Sequence, residues 1–249
     1  MVRGCGADRA VYRDRHCVLV GIGSGRVAAG RFLIAAVLGV CALAGAPPVA
    51  ADPLPAAGDV RAKLDALPIK GRAPKTGYDR SLFGESWTDD VTVPGGRNGC
   101  DTRNDILRRD LVDVVIKPDS NGCAVLRGIL NDPYTGITVE FVRGPNSAEV
   151  QIDHVVALSD AWQKGAQQLD EARRRDFAND PVNLQATIGW VNQQKGDGDA
   201  ATWLPPNVFY RCVFVTRIVD VKTSYGLWVT QAEHDAIAGV LSGCPATPG

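Results

Sequence analysis

The 249-residue chain holds 27 Lys plus Arg against 28 Asp plus Glu, a formal net charge of −1, and 45% of it is hydrophobic. That is an ordinary globular composition, long enough to bury a real core in one domain or two small ones. It excludes a protein that coats nucleic acid through bulk positive charge, while a local basic patch stays open.

Residues 1 to about 25 are a basic extension that contributes nothing to a core. Arg26 and Arg31 then precede an uncharged run from Phe32 to Ala44, and Val49 and Ala51 fit a cleavage site before Asp52. The pattern predicts a signal peptide over residues 1–51; the run falls short of the roughly 20 residues a permanent span needs. Cleavage removes six arginines and two aspartates, leaving 21 basic against 26 acidic residues and a formal charge of −5. Cys100, Cys123, Cys212 and Cys244 survive it without any C-x-x-C pair, so two disulfides are the expectation in an oxidising compartment. Of three pairings, Cys100–Cys123 with Cys212–Cys244 is favoured, because each closes a local loop without crossing the other.

A linker over 52–58 leads into "VRAKLDALPIK", where Val60, Leu64 and Leu67 have helical spacing until Pro68. Residues 52–99 read as an irregular N-terminal wrap rich in Gly, Pro and Asp, and residues 100–249 as the main domain. Asp101 can cap a helix with Ile106, Leu107 and Leu111 on its apolar face. Strand candidates follow in "VDVVIK", "CAVLRGIL", "GITVEFVR" and "EVQIDHVVAL", joined by turns of Gly, Asn and Pro that suit antiparallel neighbours. After residue 158 helical spacing takes over through "SDAWQKGAQQL", "DEARRRDFAND", "NLQATIGWVNQQKG", residues 207–223 and "TQAEHDAIAGVLSGC". Within 207–223 the β-branched residues of "RCVFVTRIVDVKTSYGL" favour a strand, whereas Val208, Cys212, Val215 and Val219 share a helix face; helix is the reading. Strands followed by helices indicate an α+β fold.

In a regular strand Asp153 and His154 point to opposite faces, and such a pair alone reads as a satisfied structural histidine. Thirty residues on, Asn183 stands at a helix start and Asn192 precedes Lys195 and Gly196, although Asn is disfavoured inside helices. The order "IDHVVAL", "DPVNLQA", "VNQQKGD" resembles the HNH nuclease superfamily, whose ββα-metal core runs strand, turn, strand, helix. "RNGCDTRNDILRRDL", "DPYTG" and "GDAATWLPPN" extend the resemblance over roughly residues 78–244, to a secreted bacterial branch related to the GmrSD restriction enzyme C-terminal nuclease domain.

The resemblance implies a ββα-metal core with flanking antiparallel strands and additional helices. It implies His154 as the base that deprotonates water, Asn183 as a catalytic residue tying the loop and orienting His154, and Asp153 and Asn192 as oxygen ligands of one Mg²⁺ or Mn²⁺. Lys195 and Arg103 are the expected substrate contacts, Lys195 meeting phosphate. Asn192 stands where the superfamily commonly has His, and the flanking zinc cysteines are absent.

Other features have plainer readings. Arg173, Arg174 and Arg175 suit a solvated helix face paired with Asp170 and Glu171; Trp162, Trp190 and Trp203 suit core positions; His234 has no partner motif and reads as exposed. The function expected is a secreted, metal-dependent endonuclease on DNA or RNA, of low sequence specificity because no DNA-reading module is recognisable. The expected state is a monomer without a lasting membrane anchor, and a protein inhibitor stays open. The alternatives are an exported binding or cell-surface protein with an inactive HNH fold, and a phosphoesterase on a non-nucleic substrate.

Overall fold

A computed structural model describes residues 57–245, which form seven α-helices and five strands. The basic extension, the signal peptide and the linker up to residue 56 lie outside the described residues. Helix α1 (Ala57–Ala66) buries Val60 and Leu64, with Leu67 just beyond its end, before Pro68 stops it. The wrap follows as extended chain with one 3-10 turn, Arg80–Phe83. A bridge from Ile69 to Val229 and the hydrogen bond from Ala73 N to Gln163 O, 2.8 Å, anchor its start.

Helix α2 (Thr102–Asp110) is capped as the sequence indicates, the Asp101 carboxylate accepting from Asn104 N at 2.9 Å. Strands β1 (Leu111–Ile116), β2 (Val125–Asn131) and β3 (Thr138–Val142) make an antiparallel sheet with β2 central. Strand β4 (Val150–His154) pairs instead with β5 (Leu184–Ile188), Asp153 opposite Gln185 and His154 opposite Leu184. Helices α3 (Leu158–Gln163) and α4 (Glu171–Asn179) fill the connection between them, and α5 (Gly189–Lys195) follows β5 directly. Two strands and a helix therefore form the ββα unit that the motif order implies. Helices α6 (Arg211–Ser224) and α7 (Gln231–Leu241) close the fold.

The helical reading of "NLQAT" is corrected. All five residues of β5 are buried, and the polar ones are satisfied by distant partners: Thr187 donates to Asp132 at 2.7 Å and Gln185 to Asp110 at 3.0 Å. A strand buried on both faces does not alternate, so its periodicity does not betray it. Asn183 accordingly lies in a 3-10 turn before a strand, not at a helix start. The ambiguous 211–224 segment is a helix, because Phe214, Val215, Ile218, Val219 and Val221 bury together and packing outweighs β-branched propensity.

Both expected disulfides are present, with Cα–Cα distances of 5.2 Å for Cys100–Cys123 and 5.8 Å for Cys212–Cys244. Three plainer readings need correction. Trp162 is buried and Trp203 packs against the core, but Trp190 is 53% exposed. The α4 arginines do not pair with Asp170 or Glu171: Arg173 donates to Ser224 O, Arg174 to Leu82 O and Leu169 O, and Arg175 faces Asp90. Guanidinium groups reach neighbouring carbonyls that this helix alone cannot offer. His234 is half-buried between Asp65 and Asp235, at 3.3 and 3.2 Å.

One hydrophobic core, built on Phe83, Tyr134, Phe177 and Phe214, underlies the helices; a second, built on Ile106, Leu107, Leu130 and Phe141, underlies the sheet. Strand β4 runs along the seam. Val150 and Ile152 belong to the sheet core, and Val155 and Val156 just beyond the strand belong to the helical one.

Candidate active site

At the end of β4 a cleft of about 290 Å³ is lined by Arg80, Asp153, His154, Asn192 and Asp197, among others. Asp153, His154 and Asn192 are thus brought to one cavity by β4 and α5. Arg103 and Asn183 are not.

His154 is buried, and its Nε2 lies 2.9 Å from the Ala178 carbonyl oxygen. A carbonyl can only accept, so Nε2 carries the hydrogen. Burial first, and the positive charge of Arg80 second, lower the imidazole pKa from 6.5 to about 3. The ring is therefore neutral around pH 7 with Nδ1 bare, and the same shift makes that nitrogen a weaker base than in a free imidazole. The Trp87 indole stacks on it, with centroids 5.9 Å apart and planes at 13°. Trp87 takes φ 62°, a left-handed backbone uncommon for a bulky residue.

Asp153 accepts from Tyr134 Oη at 2.7 Å on Oδ2 and from Lys195 Nζ at 2.9 Å on Oδ1. Burial pushes its carboxyl up, against the pull of Lys195 and Tyr134. Burial and the Asp153 charge raise the Tyr134 phenol well above its ordinary range, so it stays a protonated donor. The expectation that Lys195 meets phosphate fails on its burial: the ammonium is fully enclosed, held by Asp153 and by His154 O at 2.8 Å. It balances Asp153 and fixes the strand end instead.

Arg103 is corrected in the same way. It donates to the carbonyls of Ser147 and Val150 at 3.2 and 2.9 Å, strapping α2 to the start of β4. Asn183 is fully buried and touches no part of the cleft. Its Oδ1 accepts from Val156 N at 2.8 Å and its Nδ2 donates to Phe177 O at 3.2 Å. It ties the chain after β4 to the end of α4, where the Ala178 carbonyl holds His154.

The Asn192 Nδ2 donates to Gln151 Oε1 at 2.9 Å, and Oδ1 has no partner among the described residues. Asp153 and Asn192 both line the cleft, and a carboxylate with an amide oxygen is a donor set that suits a hard divalent cation such as Mg²⁺, which keeps several waters and takes one or two carboxylates plus phosphate oxygens. Among the described residues no cluster of three or more His, Cys, Asp or Glu forms a cage for a metal.

The sequence reading missed Tyr134, Gln151, Trp87 and Arg80. Tyr134 had a signal in "DPYTG", a stretch that shares the family resemblance; Trp87 and Arg80 lie in the aperiodic wrap and had none.

Residues 101–240 match the family described as GmrSD restriction endonucleases, C-terminal domain. The chain is also 36% identical over 214 residues to an "Uncharacterized secreted protein" of Arthroderma benhamiae (strain ATCC MYA-4681 / CBS 112371), covering 85% of this chain and 98% of that protein. No solved structure matches.

Proposed function

The chain belongs to the family of GmrSD restriction endonuclease C-terminal domains, and on that premise we propose that it hydrolyses phosphodiester bonds of DNA, and of RNA where a single strand can enter, with one divalent metal ion. It is a secreted protein: its relative is secreted, and two disulfides fit an oxidising compartment. No described helix is long and apolar enough to cross a membrane.

One observation carries the proposal: a neutral, anchored imidazole shares a cleft with the Asp153 carboxylate and the Asn192 amide. With Nε2–H given to Ala178, Nδ1 of His154 takes the proton of an attacking water. Trp87 and Ala178 hold the ring so that this nitrogen needs no reorientation. Asp153 and Asn192 would hold Mg²⁺ or Mn²⁺, with Tyr134, Lys195 and Gln151 fixing them from behind. When bound, the metal supplies charge neutralisation at the phosphoryl and leaving-group oxygens. Lys195, closed off behind Asp153, has no part in substrate contact.

A second reading, an exported binding protein with an inactive HNH fold, draws on one fact: both Asp153 oxygens already accept a hydrogen bond. Supercoiled plasmid incubated with the secreted chain in Mg²⁺, Mn²⁺ or EDTA separates the two. Nicking that EDTA abolishes and that His154→Ala lowers about 10²- to 10⁴-fold is expected; no nicking under any metal would sink the nuclease reading.

A further inference from the structure

The cleft needs a cation that can face a phosphate, and Lys195 is not free to be it. Arg80 is. It is exposed, and it lines the cleft together with Asp153, His154 and Asn192, as well as a small cavity that His154, Trp87 and Asn179 border. Arg72, Arg97, Arg108 and Arg175 each face a carboxylate. Arg80 has no hydrogen-bond or ion-pair partner among the described residues.

Its backbone is nevertheless fixed. Asp79 caps the turn by accepting from Ser81 N at 2.7 Å, Phe83 is buried against Trp162 and Phe177, and Arg174 donates to Leu82 O at 2.8 Å. The arginines of α4 thus hold the wrap in place, and the wrap holds Arg80 at the cleft. A planar guanidinium with parallel N–H donors matches two oxygens of one phosphate, a fit an ammonium lacks. Residue 80 also lies outside the matched stretch 101–240.

We infer that Arg80 grips the non-bridging oxygens of the bound phosphodiester, so that the N-terminal wrap completes a site the family domain leaves without an accessible cation. This rests on the phosphodiester reading for its substrate and extends it to a residue outside the domain.

The test is binding without turnover. A short fluorescein-labelled DNA duplex is titrated in EDTA at several salt concentrations against the wild type, Arg80→Ala, Arg80→Lys and Arg127→Ala, the last removing an exposed charge from β2. Arg80→Ala should weaken binding about tenfold or more and lower the slope of log affinity on log salt by about 0.9, one phosphate contact. Arg80→Lys should restore the slope but not the full affinity, and Arg127→Ala should change neither. In Mg²⁺ the loss should fall mainly on KM. Unchanged slope and affinity in an Arg80→Ala protein that melts like the wild type overturns the assignment, as does a wild type that binds no duplex. A wild type that binds through Arg80 yet cuts nothing leaves the assignment standing and refutes the nuclease reading instead.

Discussion

Among the described residues, buried lysines pair with carboxylates in two places, and these are built differently. Around Lys164, six groups from distant parts of the chain close on one another: the ammonium lies 2.7 Å from each of Asp160, Asp199 and Glu233, Lys222 meets Glu233 at 2.8 Å, and Arg72 meets Asp160 and Asp199 at 2.9 and 2.7 Å. Some of these contacts are electrostatic rather than aligned hydrogen bonds, since Asp160 Oδ1 and Glu233 Oε1 have no hydrogen-bond partner. Three positive groups balance three negative ones. Beside the cleft, Lys195 and Asp153 also balance, but Asp153 borders open space with a bare imidazole nitrogen and an unpartnered amide oxygen nearby. A closed network ties elements together; an open one leaves lone pairs for a ligand. The same residue types serve both purposes, and what separates them is whether the pair borders open space that a ligand can enter.

Removing one member of the closed network should give the largest effect on stability. Lys164→Ala leaves three acids facing two cations and should cost about 3–5 kcal/mol, read by urea unfolding, with the turnover of the folded fraction unchanged. A smaller loss would show that the network is not closed. Tyr134→Phe sharpens the contrast from the other side. It deletes a charge-assisted hydrogen bond worth about 1.5–3 kcal/mol, and because it loosens Asp153 it should raise the Mg²⁺ needed for half-maximal nicking about tenfold or more. The same substitution in a merely structural pair would lower the melting temperature and leave the metal titration alone.

The two regions should also part company in acid. His154 has a folded pKa of about 3 against an ordinary 6.5, so between these values the unfolded chain binds the extra proton and stability falls as pH falls. Burial alone would raise the Asp199 carboxyl, but Lys164 and Arg72 outweigh it and hold the group at about 2. Its contribution is complete above the ordinary 3.8 and disappears as pH drops through about 2. Unfolding free energy should therefore decline first below about pH 6.5 and again below about pH 4. His154→Ala should erase only the earlier decline. One merged transition, unaffected by that substitution, would mean that the imidazole is solvated in the folded protein.

How far the sequence could be read follows from the same distinction. Helix α2 with its Asp101 cap, strands β1 to β4, α7 and both disulfides are written in local signals: caps, turns, alternation and loop closure. Strand β5 is not, because Gln185 and Thr187 are polar residues made tolerable by Asp110 and Asp132, partners far away in the chain. Motif order recovered the ββα unit where periodicity could not. Lys195 was misread since a lysine at a helix end is normally solvated, and its partner lies 42 residues earlier. Arg103 was misread for the same reason, its acceptors being carbonyls of another element. Arg80 was invisible: nothing in a Gly- and Pro-rich wrap says which side chain will reach a cleft.

The six-charge network has a consequence for the order in which the chain can become a protein. Its members stand at positions 72, 160, 164, 199, 222 and 233, and Glu233 lies on the final helix. Until α7 exists, Lys164 and Lys222 lack the Glu233 carboxylate they share and have only Asp160 and Asp199 to face, so burying them there is less favourable. The lock can turn only once α7 has been delivered, together with the residues just after it that bring Cys244 to Cys212. A chain that leaves the cell before it sets would reach its working shape outside, with ion pairing and cross-linking finishing together.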